Sequence, residues 1–347
     1  MRAYDAVEIL LERIRKDYPD DVALLVVMGS SLYGDTHSRS DIDLFFVTKT
    51  PRGDRLAFTF IVDGIGFDFW SIPWKRLEDM ADHMEDKTAI ITEGRVLWHG
   101  SDEDLARFEA LKRHALDTGD RFAFACKAED RFATACRRHL DLLSARTLSE
   151  SRSAAIGTIY ALGHVLALLN GTTIKRGRKR LRAEILAMEW VPVDFGCLYD
   201  AAFTGVTPEE IGTAFTELMK NTRMLILEQK ERTRPARDFV AANTGLYEEM
   251  INAYNKIHHA CDTGDPVTPL FAAVELTQEY EDVWAGTGRS VRELPDLVAA
   301  YDPHDPEGFR KVAVEHQSRL EGILREETVP IRVFQDLDEL EEFLGSL

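Results

Sequence analysis

Hydrophobic and polar positions change period along this chain. The opening stretch, MRAYDAVEILLERIRKDYPDD, spaces its apolar residues three and four apart among many charges, which predicts an amphipathic helix. Residues 22–28, VALLVVM, are continuously apolar and read as a buried strand that stops at Gly29-Ser30. DIDLFFVT, residues 41–48, reads as the next strand. LAFTFIV and IGFDFWSI flank Asp63-Gly64, a pair suited to the positive φ of a two-residue hairpin turn. GRVLWHG at 94–100 adds a last strand. Ser101 and Asp104 then open a helix whose Leu105, Phe108, Leu111 and Ala115 share one face.

From about residue 117 the period is helical. SRSAAIGTIYALGHVLALL ends at Asn170-Gly171, a natural C-terminal cap. Thr207, Pro208 and Glu210 form a capping box with proline in the first turn. Further on, Leu246, Met250, Tyr254, Ile257 and Cys261 line one helical stripe, and the tail VFQDLDELEEFLGSL predicts a short acidic helix. The expected fold class is α+β. A small mixed-sheet domain with flanking helices over residues 1–116 precedes a mostly α-helical domain over residues 117–347, with room for a subdivision near 235.

Bulk numbers narrow the partners. The net charge of −18 repels polyanions at long range, which disfavours nucleic acid and suits a cationic small molecule or a nucleotide delivered with magnesium. Solubility alone would also account for such a charge. No apolar run reaches the ~18 residues of a bilayer span, so no membrane partner is expected. The four cysteines are widely spaced and form no C-x-x-C pair, which suggests reduced thiols and a cytoplasmic setting.

Candidate chemistry concentrates in GSSLYGDTHSRSDIDLFF, residues 29–46. Side chains alternate along a strand, so Asp41 and Asp43 share a face about 6.5–7 Å apart while Ile42 and Leu44 face the other way. Two such carboxylates can converge on a pair of divalent cations about 3.5–4 Å apart, the arrangement of two-metal phosphoryl transfer. Without a cation their repulsion raises at least one pKa. Asp68 lies in another apolar strand, which the hairpin could bring alongside. Backbone N–H groups and hydroxyls of Gly29, Ser30 and Ser31 could cradle phosphate oxygens.

The combination of Gly29-Ser30, Gly34, Ser40-Asp41-x-Asp43 and Asp68 resembles the nucleotidyltransferase superfamily of DNA polymerase beta. In layout the chain is most similar to the antibiotic nucleotidyltransferases that act on aminoglycosides and lincosamides. The motif likeness covers roughly residues 20–100, and the helical part resembles the family only in arrangement. The resemblance implies that Asp41 and Asp43 ligate two Mg²⁺ ions bridging a nucleoside triphosphate. Asp68 then completes the metal site and is placed to accept the acceptor's proton, while Gly29 and Ser30 hold the β- and γ-phosphates. It implies transfer of a nucleoside monophosphate, AMP from ATP by preference, to a hydroxyl of a small molecule held between the two domains. Homodimers occur among the related antibiotic enzymes and are open to this chain too. One departure stands out: an arginine found in this turn of an aminoglycoside-modifying member is Tyr33 here, with Arg39 or His37 as replacements. The general base stays open. A protein or tRNA acceptor, and a non-catalytic nucleotide sensor on the same scaffold, are the rival readings.

KRGRKRLR, residues 175–182, packs six basic residues into an acidic protein. Lys175, Arg176 and Lys179 are candidates to reach the nucleotide phosphates, against a solvated basic face or an RNA contact. His258, His259, Cys261 and Asp265 do not make a zinc site, because adjacent histidines diverge by about 100° on a helix. His114, His139 and His164 read as structural, and Trp70 and Trp74 as packing residues. Nucleophile-elbow, P-loop and H-E-x-x-H motifs are absent from the sequence.

Overall fold

A computed structural model describes residues 3–34, 37 and 40–347. The chain divides into two compact units, Met1–Thr233 and Arg234–Leu347.

The first unit begins with α1 (Ala3–Asp17), followed by β1 (Val22–Val27), β2 (Leu44–Thr48), β3 (Phe58–Val62), β4 (Ile65–Ser71) and β5 (Arg95–His99). Among the described residues these strands form one five-stranded sheet in the order β3-β4-β2-β1-β5. β2 pairs parallel with β4, while β1 pairs antiparallel with both β2 and β5, and β3 pairs antiparallel with β4. The sheet is mixed, as the pattern predicts. Asp63 and Gly64 both take positive φ and close the β3–β4 hairpin.

Both faces of the central strands are covered, which explains why β1 and β2 read as continuous apolar runs rather than alternating ones. Leu44 and Phe46 pack on one side with Val7, Leu10 and Ile14 of α1. Phe45 and Val47 pack on the other with Leu77, Ile91 and Phe108. Those three residues come from α2 (Trp74–Ala81), α3 (Ala89–Thr92) and α4 (Asp102–Leu116). The Ser101 hydroxyl accepts from the Asp104 N–H and caps α4, as the sequence indicates.

The same unit continues into α5 (Arg121–Leu143), α6 (Leu148–Leu169), α7 (Leu181–Leu186), α8 (Phe195–Thr204) and α9 (Pro208–Thr233), which share a separate apolar core. Helix α6 is long and apolar enough, by composition, to cross a membrane, so the expectation that no segment qualifies needs correcting. Most of its apolar window is buried against the neighbouring helices, which accounts for the composition without a bilayer.

The second unit is helical throughout: α10 (Phe239–Asn243), α11 (Leu246–Thr263), α12 (Thr268–Trp284), α13 (Leu297–Ala300), α14 (Pro306–Glu326) and α15 (Leu337–Gly345). Tyr254, Ile257, Leu276, Trp284, Leu320 and Ile323 lie in its core. Cys261 belongs to that core and Gly264 caps α11 in the left-handed conformation, so the helix end explains this stretch without a metal.

Candidate active site

The Gly-Ser turn follows β1 directly. Gly29–Tyr33 form one turn of 3-10 helix, closed by Gly34 at φ 70° with its N–H on the Ser30 carbonyl. Gly29 itself sits at φ 75°, and a Cβ there would lie 2.1 Å from Asp43 Oδ2. Only glycine fits a position that is both left-handed and this close to a carboxylate. That is the physical reason for glycine at this point of the motif.

Asp41 and Asp43 stand just before β2 rather than inside it, so the predicted strand 41–48 is shorter, beginning at Leu44. Extended pairing nevertheless reaches back to this point, because the Met28 N–H donates to the Asp43 carbonyl at 3.0 Å. Ile42, Leu44 and Phe46 are buried on the α1 side. Period-two alternation therefore turns Asp41 and Asp43 to the opposite face, the side of Phe45 and Val47.

Asp68 joins them from β4. Phe67 and Phe69 face α1, which turns Asp68 to the same side as the other two aspartates. Leu44 pairs with Phe69 in the parallel ladder, and one step earlier Asp43 stands level with Asp68. The electrostatics agree with this placement. Asp43 is open to solvent on one side and packed against the Gly29 backbone on the other. Its carboxyl is raised above the ordinary range, first by burial and then by the Asp41 charge, with a smaller push from Asp68. The Ser30 N–H donates to the Asp43 carboxylate and works in the opposite direction. That amide, expected to face phosphate, is thus engaged within the site. The Ser30 hydroxyl has no hydrogen-bond partner among the described residues, and Ser31 Oγ donates to the Met28 carbonyl at 3.3 Å.

Among the described residues, no group of three or more His, Cys, Asp or Glu side chains is arranged to hold a metal ion. The chemistry of the side chains nonetheless suits a hard divalent cation: three carboxyl groups share one face, and Asp43 is raised first by burial and then by the charges of Asp41 and Asp68.

The basic segment approaches the turn through a residue that the sequence did not single out. Glu93, just after α3, accepts from the Tyr33 hydroxyl at 3.1 Å and pairs with Lys175 Nζ at 2.9 Å. Burial alone would raise the Glu93 carboxyl, but Lys175 and Tyr33 hold it below its usual range. Tyr33 is pushed up strongly, by burial and then by Glu93. The Arg176 guanidinium lies 4.9 Å from the centre of the Tyr33 ring. Backbone N–H groups of Lys175 and Arg176 donate to the Glu184 carboxylate at 2.5 and 3.1 Å, which holds the segment in place. Lys179 is exposed in the following turn, with no hydrogen bond or ion pair among the described residues. Arg39 lies outside the described residues. His37 is described, and its N–H donates to Ser40 Oγ at 2.9 Å. No local pattern marks Glu93; its role appears only once distant segments are brought together.

No curated protein matches the chain. Among solved structures, it is similar to a nucleotidyltransferase-like protein from Exiguobacterium sibiricum, with 13% identity over 65% of this chain and 78% of the other. The TM-score of 0.38 leaves that likeness without weight. Residues 7–92 match the family model described as the nucleotidyltransferase domain, a span that contains the Gly-Ser turn and all three aspartates. Over residues 7–92 the chain is thus similar to nucleotidyltransferase domains.

Proposed function

We propose that the chain is an Mg²⁺-dependent nucleotidyltransferase that moves a nucleoside monophosphate, AMP from ATP, onto a hydroxyl of a small acceptor. The observation that carries this reading is the grouping of Asp41, Asp43 and Asp68 on one face, with the Asp43 carboxylate seated against Gly29. Those three aspartates would hold the metal, which when bound supplies charge neutralisation for the triphosphate. Ser30 Oγ and the turn around it bind phosphate oxygens. Lys175 and Arg176, anchored beside the turn through Glu93 and Tyr33, add positive charge there. In this reading Arg176 arrives through space to serve in place of the arginine whose position in the turn is Tyr33. An Asp68 carboxylate oxygen accepts the acceptor's proton as the hydroxyl oxygen bonds to the α-phosphorus in line and the bond to pyrophosphate breaks. Positioning and charge neutralisation supply most of the rate enhancement in such chemistry. The charge of −18 favours a cationic, aminoglycoside-like acceptor.

Pyrophosphate release from ATP and Mg²⁺, measured across a panel of aminoglycosides and uncharged polyols, tests the reading. Turnover with one acceptor class, lost in Asp41→Asn and Asp43→Asn, is the expected result. Wild-type turnover in either variant overturns the metal assignment. Label passing from ATP into protein or tRNA would move the acceptor to a macromolecule. Nucleotide binding without pyrophosphate release under any condition would leave a sensor instead.

A further inference from the structure

The helical unit holds a cavity that the proposed transfer does not use. It measures about 350 Å³, is lined by parts of α12, the turn at Val291–Glu293 and α14, and falls in the range of small-ligand pockets. Its wall is built from Leu276, Thr277, Val291, Leu294 and Pro295, with Tyr280 and His316 among them. We propose that this cavity binds a small, uncharged, predominantly apolar molecule carrying one hydrogen-bonding group.

Two buried polar side chains among the apolar ones carry the argument. His316 is 4% exposed, and its Nδ1 is shared with the Tyr254 hydroxyl at 2.7 Å. Nε2 has no partner among the described residues. Burial drives the imidazole down to about 4, so at neutral pH it is an uncharged hydrogen-bonding group. Tyr280 is 1% exposed, and its hydroxyl is buried with no hydrogen-bond partner among the described residues. Buried polar groups without partners are rare in folded domains because each forfeits its hydration. A ligand with a matching group pairs with His316 Nε2 while covering the apolar part of the wall. The lining also includes Glu281, Arg292 and Asp296, all exposed, two acids against one base, which gives an anionic ligand no attraction.

The probe is 2-naphthol, an apolar bicycle whose single hydroxyl both donates and accepts. Full-length protein is titrated by calorimetry, while ¹⁵N spectra follow the His316 ring nitrogens. The proposal predicts saturable binding of one equivalent and a shift of the His316 Nε2 resonance. Val291→Trp, at a half-buried wall position, should abolish binding while helical content is retained; Thr277→Phe serves the same purpose should Val291→Trp misfold. Absence of saturation, an unmoved His316 resonance, or binding retained in the folded variants overturns the proposal. Pyrophosphate release is measured in the same variants, so failure here is separable from failure of the transfer reading.

Discussion

Asp43 holds a carboxylate between the Gly29 backbone and two like charges, and its protonation is tied to folding. Because its folded pKa is raised, the folded chain binds this proton more tightly than the unfolded one. The resulting stability is fully present below the ordinary carboxylate range and is lost as pH rises through the raised value. Asp43→Asn removes that loss. With EDTA present, the variant should melt above the wild type at pH 7, and the difference should close towards pH 3. Added Mg²⁺ should raise the melting temperature of the wild type and leave Asp43→Asn nearly unmoved, while turnover in the variant falls on the order of 10³-fold. Thermal melts across pH, paired with pyrophosphate release, check both halves. Gly29→Ala makes the complementary case. It forces a Cβ into left-handed backbone and against Oδ2 of the aspartate. A cost of about 1–3 kcal/mol, read from urea unfolding, is expected together with loss of turnover.

At the scale of elements, the sheet was readable because both faces of its central strands are covered, leaving near-continuous apolar runs in β1 and β2 bounded by Gly29 and by Thr48. The Asp63-Gly64 hairpin was readable because its turn chemistry is local. The start of β2 was less legible, since alternation already runs through Asp41–Asp43 ahead of Leu44, where the Met28–Asp43 backbone bond extends the pairing. Glu93 could not be read at all. It acts by joining Tyr33 to Lys175, residues 60 positions behind it and 82 ahead, and spacing along the chain says nothing about such a meeting. The connection makes a prediction about the basic segment rather than about chemistry. Glu93→Gln should release Lys175 and weaken the support of Arg176 beside the turn. The KM for nucleotide should then rise about tenfold, the worth of roughly 1.4 kcal/mol, with a smaller change in kcat. Equal KM in variant and wild type would show that the segment takes no part in nucleotide binding.

The charge of the whole molecule bears on which acceptor is used. A chain with 60 acidic and 42 basic residues attracts cations at long range, and that attraction is screened beyond about 8 Å at physiological ionic strength. If the net charge recruits a polycationic acceptor, its KM should climb steeply with added salt, on the order of tenfold between 0.05 and 0.5 M. An uncharged polyol accepted at the same site should show a much flatter response. ATP and Mg²⁺ are kept saturating in both series, so the triphosphate's own salt sensitivity does not enter the comparison. The two acceptors then differ only in the charge that the protein's field can act on. Parallel salt curves would mean that the acidic surface serves solubility, and the choice of acceptor would rest on contacts inside the site.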